Sequence, residues 1–129
     1  MLGVEAKVDE SFGPLVHEWN DYTPGKLRRL AGLLDRLKLK SKLIGSLRYQ
    51  LFHRTAATLI EAEEVGAREA ALVVQSFDRN RAGFADFVAF ADAFGTPVLK
   101  PGELSQPKET GGVTIRLGWT ENEMQFAES

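Results

Sequence analysis

The sequence predicts one α/β domain in which helices flank a small sheet, in the order strand, helix, helix, strand, helix, strand (β-α-α-β-α-β). Three observations carry this. Leu2 to Val8 and Val113 to Trp119 alternate apolar with polar residues, the period of a half-buried strand. Ala70-Ala71-Leu72-Val73-Val74 is an unbroken apolar run, as suits a central strand covered on both faces. Between these segments apolar residues recur at helical spacing, so the economical arrangement is a sheet layer packed against helices.

In the first strand Leu2, Val4, Ala6 and Val8 share one face, and Gly3, Glu5 and Lys7 the other. Ser11-Phe12-Gly13-Pro14 breaks the pattern, and Leu15 to Trp19 reads as a short helical turn. Thr23-Pro24 predicts a helix start, with Thr23 as cap and Pro24 in the first turn. Leu27, Leu30, Leu34 and Leu37 then form its apolar stripe. Lys38 to Lys42 links it to a second helix, expected over 43–65, with Leu47, Leu51, Thr55, Leu59 and Ala62 on one face and Gly66 as its carboxy-terminal cap. A central strand is expected within Glu69 to Phe77, followed by turn residues Asp78-Arg79-Asn80.

Phe84, Phe87, Val88, Ala91 and Phe94 predict a third helix, closed by Gly95 and Pro97. Lys100 to Gly112 reads as a loop, Val113 to Trp119 as the last strand, and 121–129 as a frayed tail. The phenylalanine stripe and the two tryptophans, Trp19 and Trp119, are assigned to the core or to interface anchors. No internal repeat or composition break divides residues 1–129, which are expected to form one domain.

At 129 residues, 43% hydrophobic and 26% charged, the chain has the composition of a globular protein able to bury a core. It has no cysteine, which excludes disulfides and thiolate metal sites. No apolar run approaches the roughly 20 residues of a membrane span, and the first residues do not read as a secretory signal, so a cytoplasmic location is expected. There is no Walker-type loop, no Gly-x-Gly-x-x-Gly, no Gly-x-Ser-x-Gly elbow and no His-x-x-x-His spacing. The net charge is −2, but Lys26 to Arg54 holds nine Lys or Arg against the single acid Asp35. That asymmetry creates a local positive field if the side chains share a surface.

The pair carrying most chemistry is Glu5-Ala6-Lys7. Strand geometry sets Glu5 and Lys7 on one face with α-carbons roughly 6.6 Å apart. A carboxylate there suits a hard divalent cation such as Mg2+, and the lysine suits a phosphate or an attacking water.

The stretch Val4 to Gly13 (VEAKVDESFG), Pro24-Gly25-Lys26, Leu47 to Ala56 (LRYQLFHRTA), Val73 to Phe77 (VVQSF) and Leu117-Gly118-Trp119 together resemble a bacterial family with a restriction-endonuclease-like PD-(D/E)xK fold, a small mixed sheet flanked by helices. The resemblance implies a metal-dependent nuclease-like domain acting on nucleic acid, with Glu5 as metal ligand, Lys7 as catalytic lysine and Mg2+ as cofactor. The superfamily carries a further aspartate on the strand before Glu-x-Lys. This sequence starts almost on that strand, and Asp9 is about 13 Å along from Glu5, so a shortened or degenerate member is expected.

On the second helix Gln50, His53 and Arg54 project from neighbouring turns of one side. The resemblance implies that this helix adds residues near the site, so Gln50 joins the catalytic candidates. Lys26, Arg28, Arg29, Arg48, His53 and Arg54 are the candidate nucleic-acid contacts. The alternative reading is a non-catalytic interaction module, a homodimer formed through an open edge of the first strand.

Overall fold

The computed structural model describes residues 3–8, by their backbone, and 13–39, 44–75, 83–98 and 100–120. Leu2, Asp9, Lys40, Lys42, the turn Asp78-Arg79-Asn80 and the tail from Glu121 lie outside the described residues.

Alternation and apolar content produce the expected strands β1 (Gly3–Val8) and β2 (Glu69–Gln75). A third strand, β3 (Lys108–Thr110), forms a hairpin with β4 (Val113–Thr120). They make one mixed sheet in the order β1-β2-β4-β3. β1 and β4 both run parallel to β2, with Glu5 paired to Ala71 and Ala71 to Arg116, and β3 returns antiparallel to β4.

The helices are α1 (Val16–Trp19), α2 (Pro24–Arg36), α3 (Tyr49–Glu64) and α4 (Phe84–Phe94). α3 closes where the sequence indicates, with Gly66 at φ +73°, and α4 ends at Gly95 with φ +94°. Both glycines take the left-handed conformation that other residues adopt only at a cost.

One core unites the helix layer with a single face of the sheet. Ala70, Leu72, Val74, Val113, Ile115, Leu117 and Trp119 pack with Leu51, Phe52, Leu59, Phe87, Phe90 and Phe94. The Phe52 and Phe90 rings meet edge to face at 5.1 Å, and Phe84 and Phe87 approach Trp119 at 5.3 and 5.6 Å. These contacts hold α3 and α4 on the same side. The opposite face carries Glu69, Ala71, Val73 and Gln75 of β2, of which Val73 is fully buried and Glu69 exposed. β2 is thus a central strand, and at Val73 it is buried on the face away from α3 and α4 as well.

Four expectations are corrected. The second helix begins at Tyr49, because residues 47–49 pair with the chain before α1. Val16 N–H donates to Leu47 O (2.8 Å) and Tyr49 N–H to Pro14 O (3.1 Å). Among the described residues a 3-10 turn, Ile44–Ser46, precedes that bridge. Thr23 stands at the start of α2, but its hydroxyl donates to Asp21 Oδ1 (2.8 Å) and makes no cap bond.

Leu27 is exposed, while Leu30 and Leu37 are buried; α2 packs outside α3, and its first turn is covered from one side only. The fourth correction is the stretch Lys100 to Gly112, which is partly a strand. Thr110 pairs with Val113 across Gly111-Gly112, both at positive φ (+62° and +107°). Two such residues make the tight turn favoured by hairpins. The observed order is therefore β-α-α-α-β-α-β-β. No helix among the described residues is long and apolar enough to cross a membrane.

Candidate functional site

Contacts between their first turns gather the starts of α2, α3 and α4 at the carboxyl edge of the parallel strands. Phe84, at the start of α4, touches Trp119 near the end of β4. Arg48, immediately before α3, reaches Asp86 in the first turn of α4, Nε to Oδ2 2.9 Å. The starts of α2 and α3 are joined through aromatic rings. The Trp19 ring stacks on Tyr49 at 3.9 Å with an 11° tilt, and Tyr49 lies 6.3 Å from the His53 ring. Lys26 Nζ sits 5.1 Å from the centre of the Trp19 ring and donates to Trp19 O at 2.9 Å. Three helix N-termini, each carrying partial positive charge, thus share one end of the molecule.

The candidate basic residues divide into two groups there. Arg28, Arg29, His53 and Arg54 are exposed, within the first two turns of α2 and α3. Lys26 and Arg48 are committed to internal contacts. Besides Trp19, Lys26 lies 3.7 Å from Asp21, and Arg48 Nη1 donates to Gly13 O at 2.7 Å. Charge in a sequence announces a cation but not its partner, and neither Asp21 nor Asp86 is signposted by spacing. Asp21 is held below the ordinary carboxylate range, first by the Thr23 hydroxyl, then by the Thr23 amide and by Lys26. Gln50 is half-buried in the first turn of α3.

Glu5 and Lys7 occupy β1 positions paired with Ala71 and Val73. The intervening positions Val4, Ala6 and Val8 pair with Ala70, Leu72 and Val74, the residues whose side chains enter the core below α3. By register, then, Glu5 and Lys7 hold positions on the sheet face opposite the one that α3 covers, and Gln50 is on the α3 side.

The next positions across the sheet are Arg116 and Gly118. On that face Glu69, which pairs with Gly3, is the diagonal register neighbour of Glu5, and no three metal-ligating side chains cluster among the described residues.

At the opposite end of the helix layer lies a lysine the sequence did not single out. Lys108 Nζ donates to Phe94 O (2.6 Å), Leu37 O (3.0 Å) and Lys38 O (3.3 Å), and stands 4.0 Å from the centre of the Phe94 ring. One ammonium thereby satisfies carbonyls at the C-terminal ends of α2 and α4, where the helix dipoles favour a cation. Burial pushes its pKa below the ordinary 10.5, against the pull of the carbonyls. The residue is structural, tying the β3 hairpin to both helices. A half-open cavity of about 480 Å³ lies nearby, lined by Pro97, Val98, Glu103, Leu104, Ser105 and Gln106.

These features define a mixed α/β domain whose aromatic contacts and exposed arginines lie at the starts of α2 and α3. The family model described as Domain of unknown function (DUF6946) matches residues 1–124, and the chain belongs to that family. Comparison with curated proteins and with solved structures gives no match.

Proposed function

We propose that this chain is a restriction-endonuclease-like domain that engages nucleic acid through its phosphates, at the surface formed by the starts of α2 and α3. The observation that carries the reading is the joining of those two starts by the Lys26–Trp19–Tyr49–His53 contacts. Through it, the exposed Arg28, Arg29 and Arg54 all lie within two turns of a junction that also receives the positive ends of two helices. Phosphate attraction of this kind is independent of sequence and falls steeply with salt. Lys26 supports the surface by holding Trp19, and Arg48 by tying α3 to α4. The parallel pairing of β1 with β2, with α3 packed on both, agrees with a Glu-x-Lys strand followed by a supporting helix.

The test is fluorescence anisotropy of labelled single- and double-stranded DNA and RNA over a salt series, with the wild type and with Arg28→Ala/Arg29→Ala/Arg54→Ala. Binding that weakens with salt, and a shallower salt slope in the triple variant, are expected. Absence of binding at low salt, or an unchanged slope, overturns the reading. The same oligonucleotides incubated with Mg2+ or Mn2+ test turnover. Cleavage lost in Glu5→Ala assigns a nuclease, with Glu5 holding the ion and Lys7 on the phosphate. Salt-sensitive binding without cleavage assigns a binding module.

A further inference from the structure

β1 lies at one end of the sheet order and has a single strand neighbour, β2, among the described residues. An edge strand offers its outward amide and carbonyl groups to any strand that aligns with them. The strand's own sequence, Gly3-Val4-Glu5-Ala6-Lys7-Val8, selects one such partner. Glu5 and Lys7 are placed symmetrically about Ala6. When two copies of the strand run antiparallel about a two-fold axis at Ala6, Glu5 stands opposite Lys7 of the second copy, Lys7 opposite Glu5, and Val4 opposite Val8. Every charged position then meets its complement, and the apolar positions meet each other. Opposite charges at cross-strand positions stabilise a sheet, and like charges there oppose it.

Other alignments lose this match. Moving the axis to Glu5 sets Glu5 against Glu5, and moving it to Lys7 sets Lys7 against Lys7. A one-residue slip puts both charges opposite apolar residues. Parallel pairing in register aligns like with like along the strand and does not close into a dimer. An isologous contact, in which the same patch serves both partners, is the usual geometry of a homodimer.

We propose that β1 is a self-pairing edge, that two copies of this chain join antiparallel through it in the register centred on Ala6, and that the Glu5/Lys7 pair sets that register. The two four-stranded sheets then become one continuous sheet of eight. This assignment does not depend on nucleic-acid binding. A six-residue edge is a small interface, so the dimer forms in a concentration-dependent equilibrium with the monomer.

Charge reversal tests it, read by sedimentation velocity across a concentration series, with circular dichroism of every variant confirming the fold. Glu5→Lys sets lysine opposite lysine at both pairs and yields monomer. Lys7→Glu sets glutamate opposite glutamate and does the same. The double variant Glu5→Lys/Lys7→Glu restores both pairs and with them the dimer. Equimolar mixing of the two folded single variants gives a heterodimer, because one supplies only lysines and the other only glutamates. A wild type that stays monomeric at the highest concentration overturns the proposal, as do folded single variants that dimerise like the wild type. A double variant that stays monomeric overturns the assigned register. Should one single variant fail to fold, the other is compared with the double variant. A folded single variant that still dimerises overturns the proposal, and one that is monomeric while the double variant dimerises supports it.

Discussion

Replacing Lys108 by methionine tests how the hairpin is fastened to the helices. The substitution keeps most of the aliphatic stem but removes the ammonium, leaving the carbonyls of Phe94, Leu37 and Lys38 without that donor. A hydrogen bond from a charged donor contributes about 1.5–3 kcal/mol, and the ring contact with Phe94 about 0.5–1 kcal/mol. Three bonds do not add in full. Burial lowers the lysine pKa, so part of the gain is spent on desolvation, and the group is partly open to solvent screening. The expected loss is therefore about 2 kcal/mol, or a drop in Tm of roughly 8 °C for a chain of this size.

The pH dependence gives a second readout by thermal melts. Because the folded pKa lies below 10.5, the unfolded chain binds more protons between the two values. The cost of burying the charge is fully present below the folded pKa and relieved as pH rises toward 10.5. The wild type should gain on Lys108→Met across that interval. A variant as stable as wild type at neutral pH, or a difference that shrinks as pH rises, would refute the assignment.

Four other predictions follow from the same geometry. In a double-mutant cycle on the half-exposed pair Arg48 and Asp86, chemical unfolding should show a coupling of about 0.5–1 kcal/mol, and Arg48→Ala should cost more than Asp86→Ala because it also loses Gly13 O. Thr96→Val should leave stability unchanged or raise it by up to about 1 kcal/mol in calorimetry, since the buried hydroxyl has no hydrogen-bond partner among the described residues. Gly112→Ala should destabilise by more than about 1 kcal/mol, because φ is +107°, whereas Gly32→Ala, in the open helical face of α2, should stabilise by about 0.5–1 kcal/mol. Asp21 should titrate below 3.8 by NMR and move toward that value in Thr23→Val; the contribution of its bonds is present above 3.8 and lost as pH falls through the folded pKa.

The elements legible in the sequence are those whose signals are local. α4 was delimited by its phenylalanine spacing and by Gly95, and β4 by strict alternation, because burial of one face dictates both patterns. The break between α2 and α3 was also visible, but the start of α3 was not. Residues 47–49 have a helical pattern, and they leave the helix because Pro14 and Val16 offer backbone partners from a distant segment. β3 was missed for a related reason. Three residues carry no period, and they become a strand only by pairing with β4, although the Gly111-Gly112 turn signalled a hairpin.

The candidate site shows the same division. Composition and spacing by themselves determined that the chain is α/β, that its positive charge is concentrated between Lys26 and Arg54, and that Glu5 and Lys7 share a strand face. The tertiary structure alone decided that Lys26 and Arg48 are held by Trp19 and Asp86, while Arg28, Arg29 and Arg54 face solvent. It also decided that Gln50 lies across the sheet from the Glu5 and Lys7 positions, and that β1 has one strand neighbour among the described residues. Periodicity is a property of one segment and reports which of its faces is buried. Which charges meet, and which strand is left unpaired, depend on how segments far apart in the chain are packed together, and no single segment encodes that.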